Sequence, residues 1–583
     1  MAQPEEEEGC ASCKDLNCDG STLNLNQLLQ SAEAKACRGC MLLVDALEKF
    51  DVYIPLRGCS FDMYPSDPTL LPNVYISGKQ HPRVHVTGAS DLCLEIYASP
   101  GTPPPLGHLT EATEILGDTG SERALAQIAK WLQHCTDTHK AGRGCPPNLE
   151  VPLPTRLLDV CLEGPGAVDS VRLVETSGMS GTYACLSHCW GPRPLIRTLR
   201  GNYEQHKAGI ANSSLPKTFQ DAVTVARSLG IQFLWVDSLC IIQDDLDDWQ
   251  KEAALMARIY QNGRIIIMAS NSTGADTGCF TNGPRFLSKE LSIVDADGKQ
   301  HHARAREAID HGGWPILARG WVYQERMLSP RLVHFGHTEL VFECLGDQPR
   351  CECSRAGIWD FQRFDFGRAV KQYEDFWTVS PDYWSGSLSG RHAWDNILRP
   401  IMWKNVVQAY SQLDLTFGQD IFPALSGVVK QFQRHRDSKY IAGLWEDTLV
   451  EDMLWESFMS EQPRSPEWQS PTWSWASLSG GRARQQYPGA GASYSCLNAQ
   501  PRIEHVYATV DEVSVTPLGP DPTGQLSAAH VVLTGPTMAG QAHHPRGSNR
   551  VGNLSIVGYE DFREIHLSPL EAAHGKVVWQ RLH

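Results

Sequence analysis

The middle of the chain alternates short apolar runs with amphipathic segments. Residues 183–187, 233–236 and 264–269 are apolar runs too short to be typical helices. Such runs are typical of strands that are buried on both faces of a sheet. Between them, residues 217–229 and 249–260 place apolar side chains three or four positions apart, which predicts two helices. The order strand, helix, strand, helix, strand predicts a parallel sheet with right-handed crossovers.

Individual residues predict where these two helices begin and end. Pro216 suits the first turn of the first helix, and Gly230 suits its C-terminal end. For the second helix we predict a cap at Asp247 or Asp248 and an end at Gly263.

Outside this segment the patterns are weaker. Residues 94–97 read as a strand, residues 121–134 and 421–434 as helices, and residues 530–534 as a strand of a C-terminal β element. The chain therefore divides into four predicted regions. They are a Cys-rich region over 1–50, a β-containing region with a helix over 51–165, an α/β core over 180–345, and a helical then β-rich region over 390–583.

Composition excludes several classes of protein. Apolar residues make up 42% of the 583 residues and charged residues 20%, which is typical of a globular protein of two or three domains. The net charge of −16 repels phosphate backbones, so we expect no nucleic-acid partner. The N-terminal sequence MAQPEEEE lacks the basic start of a secretory signal, and no apolar run is long enough to span a membrane. We therefore expect a cytoplasmic protein without a membrane partner.

The 18 cysteines are then better explained as buried thiols or metal ligands than as disulfides. Cys10 and Cys13 form one Cys-x2-Cys pair, Cys37 and Cys40 form another, and 23 residues separate the pairs. That separation is slightly longer than usual for a structural zinc site with four cysteines. We predict zinc there, because the N-terminal region shows no core of its own; the alternative is four unlinked thiols.

A second, weaker candidate for a metal site lies further along the chain. Cys135, His139 and Cys145 are spaced as Cys-x3-His-x5-Cys. Three more cysteines could join such a site, but nothing in the sequence identifies their partner: Cys344, Cys351 and Cys353.

Four blocks of the core stand out in the sequence. They are residues 183–191 (YACLSHCWG), residues 215–223 (LPKTFQDAV), residues 234–244 (LWVDSLCIIQD) followed by Asp248, Trp249, Glu252, Met256, Ile259 and Tyr260, and residues 319–329 (RGWVYQERMLS). These blocks resemble the fungal heterokaryon-incompatibility (HET) family. Each block alone is weak, but four in this order are highly specific. Residues 153–160, 440–445 and 471–476 resemble segments that commonly flank these blocks, so the resemblance covers most of residues 37–480.

This resemblance implies a filamentous-fungus protein of self/non-self recognition that triggers cell death by self-association or by binding other incompatibility proteins. It also implies an α/β core similar to the TIR fold, which is flavodoxin-like. Two enzymatic alternatives follow from it. Some TIR domains hydrolyse NAD through a glutamate near the sheet edge, and some HET proteins are encoded in biosynthetic gene clusters, where a small organic molecule would be the substrate.

Candidate site residues follow the first two core strands. Ligands bind at the carboxyl ends of strands in open parallel sheets. Two sets of polar or aromatic side chains fall there without being needed for packing, and together they could line one pocket. The first set is Ser187, His188, Cys189 and Trp190, and the second is Asp237, Ser238, Cys240 and Gln243.

Carboxylates and a thiol are the candidates for catalysis. Asp237 or Glu252 could bind a ribose or stabilise an oxocarbenium-like centre; alternatively, Asp237 caps a turn and Glu252 lies on a solvated first helical turn. Cys240 and His188 could form a nucleophile–base pair; alternatively, Cys240 is a small buried residue and His188 is hydrogen-bonded near the sheet.

The fourth block offers a further set of binding candidates. Arg319 could bind a phosphate or carboxylate and Trp321 could stack on a planar ring, with Gln324 and Glu325 beside them. The alternative is an Arg–Glu pair and a Trp anchor that hold the block in place.

Overall fold

The structure is a computed structural model that describes most of the chain. It describes residues 10–353, 399–457, 468–478, 492–493, 508–536 and 574–579. Gaps within the first range are residues 11, 14–15, 17–20, 24, 51–72, 78–82, 88–91, 108, 116, 140–144, 146–149, 162–168, 284–287, 310–312 and 347–348. The chain forms two compact units. The first unit is Met1–Asp248, Ile259–Leu317 and Ser329–Thr378, and the second is Trp249–Arg258, Ala318–Leu328 and Val379–His583.

The first unit contains an antiparallel sheet of six strands. In spatial order they are β1 (Ser21–Leu23), β2 (Asn73–Ser77), β3 (Arg83–Thr87), β4 (Leu92–Tyr97), β14 (Gln300–Glu307) and β13 (Lys289–Val294). Helix α2 (Arg38–Lys49) packs against β13 of this sheet, and α1 (Leu25–Glu33) packs against α2. Leu43 and Leu47 of α2 share one core with Ile96 and Leu291. The Cys-rich region therefore packs on strands contributed by distant parts of the chain, although its own sequence predicted no core.

The first unit also contains a mixed sheet of nine strands. In spatial order they are β10 (Ile210–Ala211), β7 (Ser170–Glu175), β6 (Arg156–Asp159), β11 (Phe233–Trp235), β9 (Tyr183–Ser187), β12 (Ile265–Met268), β15 (Arg331–Phe335), β16 (Leu340–Cys344) and β17 (Arg350–Cys351). The central strands β11, β9, β12 and β15 are parallel. A separate short pair joins β5 (Val151–Pro152) to β8 (Ser180–Gly181).

The parallel prediction is confirmed for the centre of this sheet, and the buried strand β12, with the sequence IIIM, shows why. A strand covered on both faces can be apolar at every position. The prediction did not include the antiparallel flanks, where β6 lies beside β11 and β16 beside β15. Only four residues join β15 to β16, and so short a connection can only make a hairpin.

The remaining helices of the first unit surround this sheet. They are α3 (Glu122–Thr138), α4 (Tyr203–Ala208), α5 (Lys217–Ser228) and α6 (Asp237–Cys240), and α7 (Leu246–Asn262) contributes residues to both units. Gly230 after α5 has φ +67°, a left-handed conformation that favours glycine, as predicted. The predicted cap of α7 was wrong. Its N-cap is Asp245, whose side chain accepts a hydrogen bond from the Asp248 backbone N–H.

The second unit combines helices with short strands and a small sheet. Its helices are α8 (Gly320–Leu328), α9 (Arg399–Tyr410), α10 (Pro423–His435) and α11 (Leu449–Asp452). Its strands are β18 (Tyr440–Ile441), β19 (Leu444–Trp445), β20 (Glu456–Ser457), β21 (Ala492–Ser493), β22 (Thr509–Pro517), β23 (Leu526–Pro536) and β24 (His574–Trp579). Buried tryptophans organise this unit: the indole N–H groups of Trp403 and Trp475 both donate to the Gly443 carbonyl.

Within the described residues, no helix has the length and apolar character needed to cross a membrane.

Candidate functional site

The loop after β9 and the start of α6 meet at the carboxyl edge of the parallel strands. The indole Nε1 of Trp190 donates to Oδ2 of Asp237 at 2.8 Å. The Ser238 backbone N–H donates to the other carboxylate oxygen at 2.6 Å, and Nδ1 of His188 lies 3.9 Å from that same oxygen. These contacts orient the carboxylate, while the Asp237 side chain keeps 24% of its surface exposed. Asp237 is therefore both held in place and open to solvent.

His188 lies under this carboxylate and is almost fully buried. Its ring meets the Phe219 ring edge-to-face, with 4.9 Å between the ring centroids. Phe219 belongs to the buried face of α5, so that helix helps to fix the orientation of the imidazole. An aromatic contact of this kind restricts the ring while leaving its nitrogen atoms to polar neighbours.

Two serine hydroxyls are buried at this edge. Ser187 ends β9, Ser238 lies in α6, and neither hydroxyl has a hydrogen-bond partner within the part of the chain that the structure describes. Buried hydroxyls are usually paired, because desolvating an unpaired one costs about 1–3 kcal/mol. Two such groups beside an oriented carboxylate are a feature that packing does not require.

Cys240 and Gln243 have structural contacts. The thiol of Cys240 is 1% exposed and accepts a hydrogen bond from the Val236 backbone N–H at 3.4 Å. The Gln243 side chain donates to the carbonyls of Asp237 and Ile241 and so closes the turn after α6. This environment fits the interpretation of Cys240 as a small buried residue better than that of a nucleophile, which must be reachable.

A buried arginine that the sequence interpretation missed supports the same turn. Nε of Arg156, on β6, donates to the Cys240 carbonyl at 2.7 Å, and its Nη2 donates to the Asp248 carboxylate at 2.5 Å. The same carboxylate accepts from the Ile242 backbone N–H. An arginine at the first position of the fully buried strand RLLD was the available signal.

A second missed group is a buried chain of hydrogen bonds beyond β12. The Ser270 hydroxyl lies 2.9 Å from Nδ1 of His334, and Nε2 of His334 lies 2.7 Å from the Glu343 carboxylate. Ser270 and His334 are fully buried. His334 and Glu343 lie inside apolar strands, where the sequence pattern indicated only packing, so no signal of spacing could have joined the three.

The binding candidates of the fourth block lie in the second unit, and two of them form hydrogen bonds to other residues of that unit. Nε1 of Trp321 donates to the Asp420 carboxylate at 3.2 Å, and the side-chain oxygen of Gln324 accepts from the Gly427 backbone N–H at 3.0 Å. Glu325 is buried and Arg319 is half-buried. The contacts of Trp321 and Gln324 fit the interpretation of this block as an anchor.

Two further carboxyl groups of the second unit are buried. Glu252, on α7, is 1% exposed, so the alternative that placed it on a solvated first turn was wrong. Burial raises the pKa of Asp420 to about 6, although the hydrogen bond from Trp321 acts in the opposite direction. A buried carboxyl with so high a pKa titrates close to neutral pH.

The four N-terminal cysteines converge as their spacing predicted. The sulfur atoms of Cys10 and Cys40 are 3.7 Å apart, those of Cys13 and Cys37 are 3.4 Å apart, and all four lie within 4.8 Å of one another. Zinc bound tetrahedrally by sulfur at about 2.3 Å places its ligands about 3.8 Å apart. Cys37 caps α2 and Cys40 lies in its first turn, so the helix sets the geometry of one pair. The cluster can hold a metal such as zinc.

Among the cysteines that the structure describes, one pair forms a disulfide and the other thirteen form none. Cys351 and Cys353 form a disulfide, contrary to the expectation of thiols or metal ligands. They are only two residues apart in a turn at the sheet edge, where β17 pairs with β16.

Comparison with known proteins agrees with the four sequence blocks. The family model for heterokaryon incompatibility proteins (HET) matches residues 183–325. The chain is a HET-domain protein. The matched segment of this HET domain runs from β9 into α8, and it therefore includes Trp190, Asp237 and the strands that position them. No curated protein and no solved structure matches the chain.

Proposed function

We propose that this HET-domain protein acts in self/non-self recognition and cell-death signalling, and that it works by binding other incompatibility proteins or a second copy of itself. The match to the HET family over residues 183–325 carries the proposal. The structure adds one supporting observation: Cys240 and Glu252, two of the candidates for catalysis, are each 1% exposed. Residues this deeply buried stabilise a fold more readily than they meet a substrate.

Expression of the full chain in a filamentous fungus tests this proposal. Induction should arrest growth and admit a vital dye, and both effects should persist in Asp237→Asn, which keeps the shape of the side chain but removes its charge. Persistence is expected because surface contacts, rather than cleft chemistry, would transmit the signal. Induction of the folded wild-type chain without any loss of viability would contradict the proposal.

The oriented carboxylate of Asp237 favours one alternative, an enzyme that binds its substrate at the carboxyl edge of the parallel strands. The four parallel strands lie side by side in the spatial order β11, β9, β12, β15. Numbered by their place along the chain, that order is 2-1-3-4, as in flavodoxin-like and TIR-like folds. In such sheets ligands bind at the carboxyl ends near the reversal of strand order, which here lies between β9 and β12. Ser187 ends β9, and Asp237 and Ser238 follow the neighbouring strand β11, so a small ligand with hydroxyl groups, including the ribose of NAD, would suit this edge.

Nicotinamide release from NAD separates the two functions. An enzyme of the TIR-like type should release nicotinamide, and Asp237→Asn should abolish the release while the protein stays folded. Glu252→Gln is the matched control for a buried carboxyl. If the wild-type chain kills cells without consuming NAD, the NAD alternative fails, and small organic substrates of specialised metabolism remain to be assayed.

We also propose that zinc fills the cluster of Cys10, Cys13, Cys37 and Cys40 and stabilises the N-terminal region. Four sulfur ligands leave no open coordination position, so the role of the metal would be structural. Replacing Cys13 by serine should remove one equivalent of zinc from the purified chain, measured by elemental analysis.

A further inference from the structure

A second group of metal-ligating side chains lies in the first unit, away from the N-terminal cysteines. Cys135 lies near the end of α3, His139 is the C-cap residue of that helix, Cys145 follows in the chain, and Cys344 ends β16. All four are buried. Their ligand atoms lie within 4.8 Å of one another, with 3.7 Å between Nδ1 of His139 and the Cys344 sulfur. The sequence offered three of these residues as a candidate and did not identify the fourth.

The distances agree with tetrahedral coordination. Zinc lies about 2.3 Å from a cysteine sulfur and about 2.0 Å from a histidine nitrogen. Two such ligands at a tetrahedral angle are about 3.5 Å apart, close to the 3.7 Å between the His139 nitrogen and the Cys344 sulfur. Three sulfur atoms and one nitrogen atom form a common structural zinc set, which has no position left for water or substrate.

A glycine makes room for the histidine ring. A Cβ atom at Gly346 would lie 2.5 Å from Nδ1 of His139, so any larger residue would displace the ring from the three sulfur atoms. Gly346 follows Cys344 by two residues. The chain segment that supplies Cys344 therefore also leaves room for the His139 ring.

A buried arginine balances the charge of the group. Zinc with three thiolates and a neutral imidazole has a net charge of about −1, which is unfavourable in a buried site. Nε of Arg331, at the start of β15, donates to the Cys135 sulfur at 3.2 Å, and this side chain is almost fully buried. Its guanidinium brings the net charge near zero. Hydrogen bonds to ligand atoms of this kind tune and orient metal sites.

We propose that Cys135, His139, Cys145 and Cys344 bind a structural zinc ion that fastens the end of α3 to β16. The helix already packs on this strand, where the Trp131 ring stacks on the Phe342 ring with 5.9 Å between centroids. The metal adds a link between residues more than 200 positions apart in the chain. Because α3 precedes the HET domain, the site joins a helix outside that domain to the sheet that presents Asp237.

Metal content of the purified full-length chain tests the proposal. Cys344→Ser should lose about one equivalent of zinc relative to wild type, because the loss of one thiolate greatly weakens a closed four-ligand site. Cys161→Ser is the matched control, since Cys161 is an exposed free thiol, and it should lose none. Equal zinc content in the two variants would overturn the proposal, whether or not the N-terminal cysteines bind their own ion.

Cobalt spectroscopy distinguishes loss of a metal ligand from loss of metal through unfolding of the variant. In a chain whose N-terminal cluster has been removed by Cys13→Ser and Cys37→Ser, one equivalent of cobalt should give the absorption of a tetrahedral site with three sulfur ligands and one nitrogen ligand. His139→Cys should retain the equivalent and shift the spectrum to that of four sulfur ligands. No tetrahedral cobalt spectrum in the folded parent, or a spectrum that His139→Cys leaves unchanged, would overturn the proposal.

Discussion

Single residues at the carboxyl edge of the parallel strands are held by close contacts that allow little substitution. Gly191 follows Trp190 and has φ +76°, a left-handed conformation. A Cβ atom on this glycine would lie 2.8 Å from the Cα of Gly274, so the loop after β9 and the loop after β12 touch backbone to backbone. The position of Trp190, and through it the orientation of Asp237, depends on this contact.

We expect Gly191→Ala to lower the free energy of unfolding by about 2–4 kcal/mol, because left-handed strain and a backbone clash add together. Gly178→Ala is the control: it has φ +82° and no neighbour within 4 Å, so strain alone should lower the stability by about 1–2 kcal/mol. Urea unfolding of both variants measures the difference. Equal losses would show that the contact with Gly274 adds nothing.

Between elements, short polar bridges hold the strands and turns at the carboxyl edge of the parallel strands in register. Arg156 joins β6 to the turn after β11 and to the first turn of α7. Asp221, on α5, accepts from the backbone N–H groups of Cys279 and Phe280 and so holds the loop that follows β12. Both residues are buried and charged, and each binds backbone groups that would otherwise be unpaired.

We expect Arg156→Ala to lower the free energy of unfolding of the first unit by about 3–5 kcal/mol, because it leaves the Asp248 carboxylate without its cationic partner and the Cys240 carbonyl without the Arg156 donor. Arg172→Ala is the control on the neighbouring strand. Because Arg172 pairs with Asp159 but is half exposed, its replacement should lower the free energy of unfolding by less than about 1 kcal/mol. A double-mutant cycle of Arg156→Ala with Asp248→Asn, followed by chemical denaturation, gives the coupling energy. Independent effects would contradict the proposed bridge.

For the molecule as a whole, we expect the stability of the second unit to depend on pH through its buried carboxyl groups. The first unit contains two large sheets and the two four-residue groups that could hold a metal ion. The second unit contains several buried carboxyl groups, and burial raises the pKa of two of them, Asp420 and Asp452, to about 6 each. Because an unfolded aspartate has a pKa of about 4, each carboxyl binds more protons in the folded state than in the unfolded state between about pH 4 and 6.

We therefore expect the stability of the second unit to rise as the pH falls from 7 to 5, since protonation removes the penalty of a buried charge. Asp420→Asn should remove part of this dependence, at most about 3 kcal/mol, and should stabilise the unit at pH 7. Asp437→Asn, at an exposed position, is the control and should leave the profile unchanged. Unfolding of the full chain, followed through tryptophan fluorescence across this pH range, checks the slope. A flat profile for the wild-type chain would contradict the expectation.

Much of the fold and part of the candidate site could be predicted from local pattern. The apolar run of β12 and the spacing of α5 and α7 reflect interactions over a few residues, which a sequence displays directly. Because Trp190 and Asp237 follow neighbouring parallel strands, their proximity was also predictable. The cap of α7 was not, since Asp245 and Asp248 are equivalent cap residues until Arg156 engages one of them.

The α/β core, the HET domain and the convergence of the N-terminal cysteines could each be predicted from short spacings or ordered blocks in the sequence. Packing of distant elements alone sets the antiparallel flanks of the sheet, the burial of Glu252, the chain from Ser270 to Glu343, and the position of Cys344 beside Cys135. These features join residues that are distant in the chain or buried by distant neighbours. Their pairing depends on how whole elements pack, and no local periodicity records that.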